Sequence, residues 1–185
     1  MTRVPGVIVL DGGVRLERWS EDHLGGLLDA IEASLPELQA WMPWATPVPT
    51  RQQEAAVVAR AREQFDRDED YQWVVVDGDV VAGGLGLHPM AEDVYGIGYW
   101  LRTDRVGRGI VTRAVAAVGE IAFSMLGASA LEIHCDRANV RSAGVPRRLG
   151  YTLVGEVGRE ILTAGHTGVG YVFRLDAETD GRGRP

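Results

Sequence analysis

The chain contains no lysine: all 19 of its basic residues are arginine. That absence excludes Schiff-base chemistry on a side-chain amine and the lysine-bearing nucleotide loop. Cysteine is nearly missing too. Cys135, standing alone, rules out an internal disulfide and a multi-cysteine metal site, so no metal is implied. No apolar run approaches the ~20 residues that span a bilayer. The opening Met1-Thr2-Arg3-Val4-Pro5-Gly6 lacks the apolar core of a signal peptide. A cytoplasmic protein with no membrane partner is the expectation.

What is present is an uneven charge. The net charge is −7, which argues against a nucleic-acid footprint. Between Arg102 and Arg148, however, eight arginines face only four acids (Asp104, Glu120, Glu132 and Asp136), leaving that segment at +4. The remainder then carries 11 arginines and 22 acids. Potentials of opposite sign steer differently charged ligands to different places. With 185 residues, 45 % of them hydrophobic, the chain is long enough to bury about 70 % of its extended surface. One domain over residues 1–175 is expected, followed by a mobile tail at 176–185.

The pattern along the chain is an α+β mixture. Val7–Leu10 and Val14–Glu17 read as strands joined by Asp11-Gly12-Gly13. A helix follows from Ser20 to Ser34, and the proline- and tryptophan-rich segment 35–49 reads as an ordered loop. Thr50 and Gln53 form a capping box for a helix over Arg51–Phe65. Strands are expected at 71–76, 80–87 and 95–102, the three lying antiparallel. Apolar residues then recur at helical spacing from Val111 to Met125, with Gly127 placed to stop them. A strand at 130–135, a short helix at 140–149 and strands at 151–157 and 169–175 complete the order.

The most telling stretch is Asp104-Arg105-Val106-Gly107-Arg108-Gly109, which opens the helix at 110. Glycines let a ligand approach the backbone closely, and free N–H groups at a helix N-terminus favour an anion such as phosphate. The dinucleotide fingerprint fails because Thr112 stands where its third glycine belongs. Downstream, a strand ends in His134-Cys135-Asp136-Arg137-Ala138-Asn139-Val140-Arg141-Ser142, and the next helix exits through Leu149-Gly150-Tyr151.

Together with the strand Gly98-Tyr99-Trp100-Leu101 and the Gly155-Glu156 step, these residues resemble the GNAT acyltransferases. Within them, the resemblance is to the branch that includes the ribosomal-protein N-terminal acetyltransferases, and it covers nearly the whole chain. It departs from the family pattern at Asp104, at the head of the turn, and at Pro146, which must kink or shorten its helix. The resemblance implies a GNAT fold: a mixed, mostly antiparallel twisted sheet of about seven strands flanked by about four helices. It also implies acetyl-CoA as co-substrate, with Val106, Gly107, Arg108, Gly109 and Ile110 cradling the diphosphate through their backbone N–H groups. Tyr99, Trp100 and Leu101 would line the pantetheine arm and Asn139 would hold the cofactor nearby. Ser142 would protonate the departing thiolate.

The acceptor side is less defined. Trp41 and Trp44 lie where this branch builds its acceptor wall, and tryptophans equally serve as core anchors under loops. Glu132, His134 and Asp136 alternate along one strand face and so offer either a general base or a satisfied internal network. The same alternation separates His134 from Cys135. An α-amino group near pKa 7.8 is about a tenth neutral at pH 7, so an N-terminal amine needs little help from a base. The expectation is transfer of an acetyl group to a protein N-terminus or a small-molecule amine such as an aminoglycoside-like antibiotic. The alternatives are a longer acyl donor such as succinyl-CoA, a binding-only acyl-CoA sensor, or a protein binding another nucleotide. A homodimer is compatible with all of these.

Overall fold

The computed structural model describes residues 4–177. Among these, eight strands join one sheet: β1 (Val7–Leu10), β2 (Val14–Arg18), β3 (Tyr71–Asp77), β4 (Val80–Ala91), β5 (Val94–Leu101), β6 (Ala130–Asp136), β7 (Thr152–Gly158) and β8 (Val169–Asp176). Their spatial order is β1-β2-β3-β4-β5-β6-β8-β7. All neighbours are antiparallel except β5 and β6. All eight strands read from the sequence are present, including the short β1 that pairs onto the edge at β2, one more than the seven or so the resemblance implied. Asp176, placed in the tail by sequence, closes β8. The rest of that expected tail, 178–185, lies outside the described residues.

Five helices among the described residues flank the sheet: α1 (Leu24–Glu32), α2 (Leu35–Trp41), α3 (Arg51–Asp66), α4 (Ile110–Met125) and α5 (Val140–Arg148). The helix beyond the expected four is α2, within the segment read as a loop. Pro36 falls in its first turn, where a missing N–H costs nothing because that N–H has no helical partner anyway. α3 starts as expected, with Gln53 donating its backbone N–H to Thr50 Oγ1 at 3.2 Å.

β3 explains why its sequence is apolar without alternation: it is covered on both sides. Trp73 and Val75 join the cluster built with α4 through Ala114, Val115 and Val118. Val74 and Val76 join a second cluster with Leu24 and Leu27 of α1 and Val58 and Ala61 of α3. Each fully buried side chain of this kind contributes roughly 1.5–3 kcal/mol, so the helices on both faces are firmly attached to the sheet.

The parallel pairing in the sheet positions the site. β5 and β6 pair at Val94–Ala130, Tyr95–Leu131 and Gly96–Glu132. β5 runs on to Leu101 beside β4, and β6 runs on to Asp136 beside β8. The two strands therefore part after Gly96. Every second N–H and C=O of 97–101 is turned toward the gap, since a strand bonded on one edge directs alternate groups to the other.

Candidate active site

At the head of α4 the chain takes the form expected of an anion seat. Gly107 and Gly109 have φ of 77° and 70°, the left-handed region, and Gly109 is the N-cap residue. A side chain there would be strained by about 1–2 kcal/mol. No side chain among the described residues caps α4, and its first turn contains no acid. Its first N–H groups therefore face a cavity of about 750 Å³, where Val106, Gly107, Gly109 and Ile110 meet Arg141 and Arg148. The side chain of Arg108 is engaged away from the seat. Its guanidinium turns back to Asp77 Oδ2 at 2.6 Å, alongside Arg105 at 3.3 Å. Asp77 is buried at the end of β3, so this pairing ties the turn to the sheet. Arg108 is absent from the cavity wall.

Across the gap stand Asn139 and Ser142. Asn139 caps α5, its side-chain oxygen accepting from Ser142 N at 3.1 Å, which leaves its amide NH₂ free to donate. Ser142 Oγ donates to the Tyr99 hydroxyl at 3.3 Å, and that hydroxyl donates to the Ser142 carbonyl at 2.9 Å. Burial pushes the Tyr99 phenol well above its ordinary range, with the Ser142 contact a smaller opposing influence. Tyr99 is a protonated phenol at any working pH. α5 runs through Pro146 and stops two residues later at Arg148, one residue short of the 140–149 expected.

A second cavity, of about 690 Å³, adjoins the first. Both cavities are lined by Trp41, Met42, Tyr99, Trp100, Asn139 and Ser142. Leu101 lines the first and not the second. Trp41 and Trp44 both face the second, and the Trp44 ring lies 5.8 Å from that of Trp100, tilted by 60°. Room for Trp100 comes from Gly84, its partner across β4, because a Cβ there would lie 2.7 Å from the indole nitrogen.

The three polar residues of β6 separate in role. His134 is bonded through Nε2 to Glu132 at 2.7 Å, and Glu132 also holds Arg174 at 3.0 Å. Asp136 is buried and accepts from the backbone of Ala138 and Thr167 at 2.9 and 2.8 Å, and from the Thr167 hydroxyl. Burial raises its pKa, but these donors outweigh burial and hold it below the ordinary carboxylate range. Asp136 is thus engaged in an internal network, and with His134 it also lines the second cavity. Cys135 is also buried, and burial pushes its thiol up. No group of three or more His, Cys, Asp or Glu side chains is arranged to hold a metal among the described residues.

Two contributions to the second cavity escape the sequence reading. The 159–168 segment docks on α2, with the Thr163 hydroxyl donating to Ala40 O at 2.7 Å and His166 Nε2 lying 3.2 Å from Trp41 O. It brings Arg159 and His166 to the cavity wall. No periodicity or motif marks this segment. The other is Glu54 of α3, 6 % exposed and lining the cavity. A signal for it exists: Glu54 begins the stripe continued by Val58, Ala61 and Phe65, and a carboxylate in an apolar stripe is informative.

Residues 14–152 match the family model described as acetyltransferase (GNAT) domain. Solved structures show the same fold. The microcin C7 self-immunity acetyltransferase MccE, in complex with acetyl-CoA and AMP, superposes with a TM-score of 0.85 at 20 % identity, over 94 % of this chain and 98 % of its own. The ribosomal L7/L12 α-N-protein acetyltransferase RimL, in complex with coenzyme A, gives 0.85 at 20 % identity over 94 % and 99 %. RimJ of Mycobacterium smegmatis, in complex with a CoA-disulfide, gives 0.82 at 19 % identity over 96 % and 88 %. No curated protein matches the sequence significantly. With three quarters of its length under the family model and an anion seat at the head of α4, the chain belongs to the GNAT acetyltransferases, acyl-transferring enzymes that use acetyl-CoA.

Proposed function

We propose that this enzyme transfers an acetyl group from acetyl-CoA directly to a primary amine, with both substrates bound together. The observation that carries the proposal is the meeting of two cavities at Tyr99, Trp100, Asn139 and Ser142. One cavity has an anion seat and the other has aromatic walls. The single sheet supports reading residues 1–175 as one acetyltransferase domain.

In this reading the main chain of Val106–Ile110 holds the diphosphate, and the helix dipole of α4 adds to its N–H groups. The unpaired edge of Tyr99–Leu101 takes the amide-bearing pantetheine arm in the manner of an added strand. The Asn139 amide donates to the same arm. Acetyl-CoA supplies an acyl group already activated as a thioester. Backbone N–H groups of 99–101 stabilise charge on the carbonyl oxygen as the amine adds. Ser142 Oγ gives its proton to the departing sulfur and is reprotonated by the proton the amine nitrogen loses as the amide forms, and Tyr99 keeps Ser142 at the meeting point. The acceptor is a protein N-terminus or a small-molecule amine. The two structural neighbours RimL and MccE, which by name act on a ribosomal protein and confer microcin immunity, are compatible with either.

Two measurements test this. Isothermal titration should show saturable acetyl-CoA binding, and its absence defeats the proposal. Release of free thiol should then depend on an added primary amine; tight binding with no amine-dependent release would make the protein a sensor.

A further inference from the structure

The second cavity contains a carboxylate that the proposed reaction does not use. Among the described residues, two carboxylates line that cavity, Glu54 and Asp136. Asp136 is fully occupied by Ala138 and Thr167. Glu54 is 94 % withdrawn from solvent, and no hydrogen bond or ion pair engages its carboxylate among the described residues. Burial alone pushes its carboxyl above the ordinary range. The cavity's histidines are committed elsewhere: His88 to Asp70 at 2.6 Å, His134 to Glu132, and His166 to the Trp41 carbonyl.

A carboxylate buried without a partner is costly, and a cation brought beside it offsets that cost. Part of the surrounding surface suits such a cation, although Arg159 also stands on the cavity wall. Trp44 and Trp100 line the same cavity, and an indole face attracts ammonium groups by roughly 0.5–2 kcal/mol.

The position of Glu54 says which cation. It lines the second cavity and is absent from the set of residues shared with the first. The reacting amine must reach the shared residues with its lone pair free, so it is uncharged at the moment of attack. Glu54 belongs to the second cavity alone, so a cation resting on it is a different group from the uncharged amine at the shared residues. Resting on the acetyl transfer proposed above, we infer that Glu54 binds a second, positively charged group of the acceptor, and that the preferred acceptors are primary amines carrying at least one further cationic centre.

The test uses the full chain saturated with coenzyme A, titrated with α,ω-diamines of two to eight carbons and with the matching monoamines. The wild-type protein should bind at least one diamine ten times or more tighter than its monoamine. In Glu54→Gln that ratio should collapse by at least tenfold. Equal affinities in the wild type overturn the inference, as does a ratio that survives the substitution. Thermal unfolding of the unliganded variant provides a second readout. Glu54→Gln should melt at the wild-type temperature or above, since it removes a bare carboxylate, whereas a fall of several degrees would make Glu54 part of the scaffold and overturn the inference. Thiol release separates this inference from the proposed reaction. Diamine binding through Glu54 without thiol release defeats acetyl transfer alone, and equal thiol release from diamines and monoamines defeats the Glu54 inference alone.

Discussion

The Tyr99 hydroxyl donates to the backbone carbonyl of Ser142 at 2.9 Å. That is the carbonyl Pro146 leaves free, because a proline four residues on has no N–H to complete the helical bond. A residue that weakens α5 thus creates the acceptor by which β5 holds α5 across the open gap. The Ser142 Oγ contact to the same hydroxyl places the proposed proton donor at that tie.

Tyr99→Phe should destabilise the protein by about 1–3 kcal/mol, the cost of a carbonyl left unsatisfied. The same change in a Pro146→Ala background should cost less, because an alanine in place of the proline brings the missing N–H to the Ser142 carbonyl. A double-mutant cycle by chemical denaturation checks this. Additive effects would show that the two groups do not share that carbonyl.

Ser142→Ala removes the proton donor and leaves the carbonyl, so the Tyr99 tie survives. Turnover should fall by about 10²-fold, in the range of lost general acid catalysis, with acetyl-CoA affinity changed by less than about threefold. Equal losses in affinity and turnover would instead make Ser142 a binding group. An unchanged rate removes it from the mechanism.

How much of the molecule is legible in the sequence depends on whether the signal is local. The glycine turn, the Thr50–Gln53 capping box and the α4 stripe depend on spacings within a few residues, and each appears as read. The helix α2 is obscured because prolines at 36, 43, 47 and 49 suggest a loop, although only Pro36 falls within it and there it sits harmlessly in the first turn. Arg108 is the converse case. The motif speaks for its main chain alone, and only the fold reveals that Asp77, 31 residues earlier, takes its guanidinium. The Pro146–Ser142–Tyr99 relation likewise needs the β5–α5 contact before a departure from the motif becomes a device.

Alkaline stability should follow the buried tyrosines. Burial pushes Tyr71 and Tyr151 up to about 12, whereas an unfolded tyrosine ionises near 10. Between those values the unfolded chain holds fewer protons than the folded one, so stability is complete below pH 10 and falls as pH rises toward 12. The loss should be on the order of 2 kcal/mol for each of the two residues. Urea midpoints at pH 9 and pH 11.5, together with the ultraviolet titration of phenolate, check it. A flat midpoint over that interval would show that these phenols are accessible to solvent.

Gly84→Ala should affect the acceptor side more than the donor side, although Trp100 lines both cavities. The new Cβ would stand 2.7 Å from the Trp100 indole nitrogen, too close for the ring to stay over β4. Displacing that ring removes one wall of the acceptor cavity, so KM for the amine should rise about tenfold or more, one interaction of about 1.4 kcal/mol. Acetyl-CoA titration should move far less. A KM for the amine that stays put would show that Trp100 does not shape the acceptor site.

The anion seat makes the sharpest separation between backbone and side chain. If phosphate is held by main-chain N–H groups, Gly109→Ala should harm acetyl-CoA binding more than Arg108→Ala, although the second removes a full charge. Alanine at 109 must adopt a φ of 70°, at a cost of about 1–2 kcal/mol, and its Cβ would press on the Arg113 guanidinium at 3.2 Å. The turn would relax, and affinity should fall roughly tenfold. Arg108→Ala frees Asp77 from its closer partner but leaves Arg105 in place, so affinity should fall only about two- to threefold. Raising the salt concentration sharpens the comparison, because a direct arginine–phosphate contact is screened within a Debye length of about 8 Å at 0.15 M. Arg108→Ala should therefore leave the salt dependence of acetyl-CoA binding nearly as it was. A marked flattening of that dependence would put the guanidinium on the phosphate and reverse the assignment.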